Sequence, residues 1–356
     1  MASLFDTLTI NRMEMRNRFV RSATMDSMAE QGTVSDAEIR LYQELGKGEI
    51  GLIVSHGLFP TPDGQVSPRQ LSVHTDESIP SLSKLVNSIH QHNGKIAAQI
   101  LHGGWQCRSE VTGLSPVGPS AIVHPRSGAQ IRALSSDEIY ELVELYIQAT
   151  RRIIEAGFDA VQLHGAHSWF LSAFLSPVTN KRDDEWGGSG KKRSNFLRRI
   201  CQGIRQLAGP DYPILVKLGL QDYYPEGKTV AEGIETARFL EEDGVDAIEV
   251  SEGLEEQSSH HIRLGALSPY YVDDCRQVRE ALLIPVILVG GMRGLRDMQA
   301  VIDEGVADSI SMCRPFIIDP YLVKHFSEGL TNSSECVSCN ECLEQMRQGQ
   351  LRCTRI

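Results

Sequence analysis

Two histidines three residues apart, His164 and His167, follow the apolar run Ala160 to Leu163 in the segment AVQLHGAHSW. A strand alternates its side chains between two faces, so a chain that turns just past a strand end can bring both imidazoles over one ligand above the sheet. Such a pair suits a flat polar acceptor. Lys217 sits in the apolar run ILVKLG, and a buried ammonium needs a ligand or a counter-charge, so it reads either as a site residue or as half of a core ion pair. Gln99 closes KIAAQI and offers both amide donors and an acceptor. Gly290 and Gly291 follow PVILV, and Cys313 and Arg314 open CRPF; free backbone amides and a guanidinium suit a phosphate group. After FVR come Ser22, Ala23, Thr24 and Met25, mostly small side chains that let backbone approach a planar ring. Cys336, Cys339, Cys342 and Cys353 crowd the C-terminus, and thiolates this compact wrap metal more readily than they form disulfides in a reducing compartment.

These groups lie at the ends of short β-branched or apolar runs: 19–23, 51–55, 95–100, 160–164, 214–218, 247–251, 286–290 and 309–312. Parallel strands buried on both faces look like this. Amphipathic stretches separate them, the clearest being 137–156, with Ser135 or Ser136 as cap, Asp137 and Glu138 in the first turn and Gly157 as stop. Eight strands alternating with helices predict a (β/α)8 TIM barrel over residues 1–332, followed by a short Cys-rich tail over 333–356. The alternative, a doubly wound open sheet, lacks its early Gly-rich dinucleotide fingerprint.

A formal net charge of −11 argues against nucleic acid and anionic membrane as partners and points to a small-molecule substrate. No apolar run reaches the length of a membrane span. A cytoplasmic location and a homo-oligomer are expected.

The stretch from Val161 to Ser189, with its polar loop Asn180 to Gly188, resembles the signature of the old yellow enzyme family of FMN-dependent barrels. The close cysteine set resembles the iron–sulfur segment of that family's 2,4-dienoyl-CoA reductase and trimethylamine dehydrogenase branch. The resemblance implies that His164 and His167 bind the substrate acceptor and that Ala23, Thr24 and Met25 meet the flavin edge. It gives Gln99 the flavin pyrimidine, Lys217 its N1 and O2 side, and Gly290, Gly291, Cys313 and Arg314 the FMN phosphate, with NAD(P)H as reductant. Its reaction would be reduction of an α,β-unsaturated carbonyl or thioester. The rivals are an amine-oxidising demethylase and a flavin-binding electron carrier. Trp169 stands where most members carry the proton-donating tyrosine, and indole has no comparably acidic proton. His260 and His261, or Tyr270 and Tyr271, are replacement candidates. Trp105 stands where many members have arginine, and with Trp169 it would shape an aromatic substrate pocket. The four tail cysteines leave three readings open: a [4Fe-4S] centre serving an external electron-transfer partner, structural zinc, or free thiols.

Overall fold

Each of the eight apolar runs forms a strand in the computed structural model, which describes residues 2–255 and 269–356. We number them β1 (Phe19–Arg21), β2 (Leu52–Leu58), β3 (Ile96–Ile100), β4 (Ala160–Gly165), β5 (Ile214–Gly219), β6 (Ala247–Ser251), β7 (Val286–Val289) and β8 (Ser309–Met312). They pair in parallel, each with the next, and Met312 of β8 pairs with Arg21 of β1 to close the barrel. Around it run α1 (Asp36–Lys47), α2 (Ile79–His90), α3 (Ser136–Glu155), α4 (Asn195–Ala208), α5 (Val230–Glu242), α6 (Val272–Ala281), α7 (Leu295–Asp303) and α8 (Leu322–Ser327). Helix α3 begins where the sequence predicts, in a reciprocal capping box of Ser135 and Glu138. No helix among the described residues is long and apolar enough to cross a membrane.

The interior is layered by the two-residue period of the strands. Val20, Leu52, Val54, Ala97, Ala160, Leu215, Ala247 and Ile287 form an apolar floor, and an N-terminal hairpin, Leu8–Ile10 against Met13–Met15, closes it with Ile10, Met13 and Met15. Two residues further along their strands stand Gln99, Gln162, Lys217, Glu249 and Ser311, with Ser22 just past β1, all buried. A second step brings His164 and Ser251 to the C-terminal mouth. Thus an apolar plug supports a polar layer, which faces the end where barrel enzymes hold their chemistry. The strand boundaries shift slightly. β1 ends at Arg21 and β7 at Val289, because Ser22 and Gly290 already belong to the loops that line the mouth.

Candidate active site

At that mouth lies a cavity of about 240 Å³ lined by Ser22 to Met25, His167, Lys217, Ser251, the segment Val289 to Arg293, and Ser311 to Pro315. Of the residues expected to meet a flavin, it gathers Ala23, Thr24, Met25, Lys217, Gly290, Gly291, Cys313 and Arg314. Gln99 and His164 stand outside this lining, on β3 and β4. The loop expected to cradle a phosphate depends on missing side chains. Gly290 and Gly291 have φ of +100° and +78°, a region that L side chains rarely enter. A Cβ on Gly290 would also meet the Tyr270 ring at 2.4 Å. Arg314 reaches the Tyr270 hydroxyl at 3.0 Å and Asn340 Oδ1 at 2.8 Å. The Thr24 hydroxyl lies 3.1 Å from the Cys313 sulfur.

His164 and His167 come together, with ring centroids 5.1 Å apart and planes near perpendicular. Burial, the neighbouring imidazole and Lys217 keep His164 well below the ordinary histidine range. Burial and then Lys217 push His167 down to about 3. Both rings are therefore neutral near pH 7, each with one N–H to donate. His167 Nε2 lies 2.6 Å from the Ser251 hydroxyl. The turn that carries it is strained: His167 and Ser168 have consecutive φ of +56° and +60°. Loop residues after β6 hold it, because the amides of His167 and Ser168 donate to the carbonyls of Glu252 and Gly253 at 2.9 and 3.0 Å.

Trp105 contributes differently from the aromatic pocket expected of it. It is buried in a small cluster with Ile131, Ala173 and Leu254, and its indole N–H donates to the Ser168 carbonyl at 2.6 Å. The ring therefore clamps the strained turn from behind. Trp169 is half-buried and begins the short helix Phe170–Leu175; neither indole lines the cavity. His260 and His261 lie outside the described residues. Tyr271 lines the cavity, but its hydroxyl donates to Glu252 at 3.0 Å, and burial with that carboxylate pushes the phenol far above its usual range.

Lys217 is both a cavity residue and half of a core ion pair. Its ammonium reaches Glu249 Oε1 at 3.0 Å and Ser22 Oγ at 2.8 Å. Glu249 was missed in the sequence, although a glutamate inside the apolar strand AIEVS is a visible signal. The register of β5 and β6 places it beside Lys217.

The four tail cysteines line one small cavity together with Arg314. Among the described residues no three of the sulfurs come within 4.8 Å of one another. A zinc tetrahedron would hold them about 3.8 Å apart, given Zn–S bonds of about 2.3 Å, so the arrangement is wider than a single ion requires. Arg293 pins the tail through the Cys336 carbonyl at 2.9 Å and the Ser338 hydroxyl at 2.7 Å.

The chain is similar to several known proteins. Residues 3–333 match the model of the NADH:flavin oxidoreductase / NADH oxidase family. An NADH oxidase of Thermoanaerobacter brockii is 33% identical over 360 residues, covering 99% of this chain and 55% of that protein. An NADPH dehydrogenase of Bacillus cytotoxicus is 31% identical over 320 residues, 89% of this chain and 90% of its own length. The solved structure of a 2-naphthoyl-CoA reductase in complex with 2-naphthoyl-CoA superposes with a TM-score of 0.93 at 28% identity, over 98% of this chain and 56% of that one. The chain thus spans about half the length of the first and third of these proteins.

Proposed function

The chain belongs to the NADH:flavin oxidoreductase / NADH oxidase family, and from that premise we propose that it is an FMN-dependent enzyme using NAD(P)H to reduce an electron-poor substrate. The substrate class is a C=C bond conjugated to a carbonyl or thioester. The paired neutral histidines carry this reading. With their ring centroids 5.1 Å apart, two imidazole N–H donors meeting at one carbonyl oxygen would polarise it without needing to carry charge themselves, and such donors stabilise the negative charge that develops as hydride arrives. Bound FMN supplies the acceptance of hydride from the nicotinamide and its delivery to the substrate. The residues present fit that group. Gly290 and Gly291 would leave room and bare amides for its phosphate, Arg293 and Arg314 would give the cradle positive charge, and Lys217 would supply a cation to the ring system.

The cysteine tail supports a [4Fe-4S] centre held by Cys336, Cys339, Cys342 and Cys353, with one-electron exchange toward a partner as its chemistry. Cys342 lines both the tail cavity and the flavin cavity, so a cluster there would adjoin the cofactor. Iron and acid-labile sulfide analysis of anaerobically purified protein tests this; stoichiometric zinc, or no metal, removes it.

The reductase reading is tested by releasing the cofactor with acid and by following flavin absorbance anaerobically. NAD(P)H should bleach FMN, and conjugated enones or enoyl thioesters should restore it. Bleaching by methylated amines, with no response to enones, would favour the demethylase. A flavin that NAD(P)H reduces but that neither substrate class reoxidises would leave the electron carrier.

A further inference from the structure

Below the cavity, one carboxylate governs the polar layer. Glu249 side-chain atoms are wholly buried. Its Oε1 accepts from Lys217, Ser22 and Ser311 at 3.0, 2.9 and 2.8 Å, and its Oε2 accepts from Gln162 Nε2 at 2.8 Å. Burial alone would raise this carboxyl, but Lys217 and these donors hold it below the usual range. An ionised carboxylate only accepts, so Gln162 must turn its NH2 toward Glu249 and its carbonyl oxygen away. That oxygen accepts from Gln99 Nε2 at 2.7 Å. The carboxylate therefore dictates, through Gln162, which end of the Gln99 amide faces the interior. The Gln99 bonds run from its backbone amide to Ser55 Oγ and from its Nε2 to Gln162; in the FMN reading its carbonyl oxygen would be the atom that meets an N–H of the cofactor.

The same carboxylate offsets the charge of Lys217. A lone ammonium at the pyrimidine edge would draw electrons strongly into the flavin; paired at 3.0 Å it acts as half of a dipole whose net charge is zero. Opposite charges this close cancel about half of each other's potential a few ångströms away and more beyond. We infer that Glu249 is a positioning residue that sets the cofactor's reduction potential, moderating Lys217 and orienting Gln99 through Gln162. This rests on the FMN reading above.

The test is the midpoint potential of purified, FMN-loaded variants, measured by dye equilibration, alongside the dissociation constant of FMN. Glu249→Gln should favour the reduced flavin at least tenfold, about 30 mV for a two-electron couple, and should weaken FMN binding as the Gln99 amide loses its fixed sense. Glu249→Asp should move back toward wild type. If Glu249→Gln does not fold because the lysine is left unpaired, Lys217→Gln with Glu249→Gln removes both charges together. Its potential should stay within the span of a tenfold shift. A potential unchanged in Glu249→Gln, or a double variant that loses as much as Lys217→Gln alone, overturns the inference. A wild type that binds no FMN would instead refute the reading on which it rests.

Discussion

His164 and His167 can share one acceptor only while both are uncharged, since two imidazolium rings with centroids 5.1 Å apart would repel each other and Lys217. Their lowered pKa values have two consequences. The folded protein refuses the proton that the unfolded chain takes up below about pH 6.5, so this pair adds stability above that value and loses it as the solution is acidified toward 3. Function, by contrast, should be insensitive: kcat/KM for an uncharged enone should show no imidazole step from roughly pH 5 to 8. A clear break near 6.5 would mean that an imidazolium is the working form. Replacing both histidines by alanine should cost about a hundredfold or more in kcat/KM while FMN stays bound. Trp169 poses the other residue question. With no phenol at the start of Phe170–Leu175, the proposed reaction would take its carbon-bound proton from solvent or from another group. Trp169→Tyr should then speed the oxidative half-reaction with simple enones by roughly tenfold. A variant slower on every enone would assign Trp169 a shape role.

The turn between β4 and the helix that follows depends on elements far apart in sequence. Its two left-handed residues, His167 and Ser168, are tied to the β6 loop and backed by Trp105. Removing the indole donor leaves the Ser168 carbonyl without its buried partner, which costs about 1 to 3 kcal/mol. Trp105→Phe should therefore lower the thermal midpoint and also raise KM for the acceptor, because His167 loses its fixed aim. A drop in stability with unchanged KM would show that the β6 contacts alone hold the turn. This turn also marks where the sequence stops being readable. Strands buried on both faces advertise themselves by unbroken apolar runs, so all eight strands and the α3 cap could be placed within a few residues. That most of the residues expected at strand ends line one cavity has the same reason: barrel topology sends every strand end to one mouth. The strain at His167 and Ser168, and the capture of Trp105 behind them, come from contacts between β3, β4 and β6 loops that no local pattern encodes.

At the scale of the whole barrel, the least legible feature is a second buried ionic cluster away from the cavity lining. Asp26 follows β1, Glu38 lies in α1 and His56 in β2, and all three are inaccessible to solvent. His56 Nε2 reaches Glu38 at 3.0 Å and Asp26 at 3.7 Å, while Tyr42 accepts the His56 amide at 3.1 Å and Arg21 lies over the Tyr42 ring. Two carboxylates beside one arginine and one histidine balance their charge only when the histidine or an acid carries a proton. Asp26 is accordingly raised to about 6, chiefly by burial and also by Glu38. His56 is raised as well, since Asp26 and Glu38 outweigh its burial. Between the ordinary values of these groups and their raised values in the fold, the folded chain thus holds more protons here than the unfolded one, and the linkage slope makes this cluster's contribution fall as pH rises through that window. Asp26→Asn imitates the protonated acid and cannot ionise. In urea unfolding at a series of pH values, the variant should gain on wild type between about pH 4 and 6, by up to about 3 kcal/mol at 1.36 kcal/mol per pKa unit, and keep that gain above. A difference that does not vary with pH would mean that Asp26 is ionised throughout, with its charge fully met by Arg21 and His56.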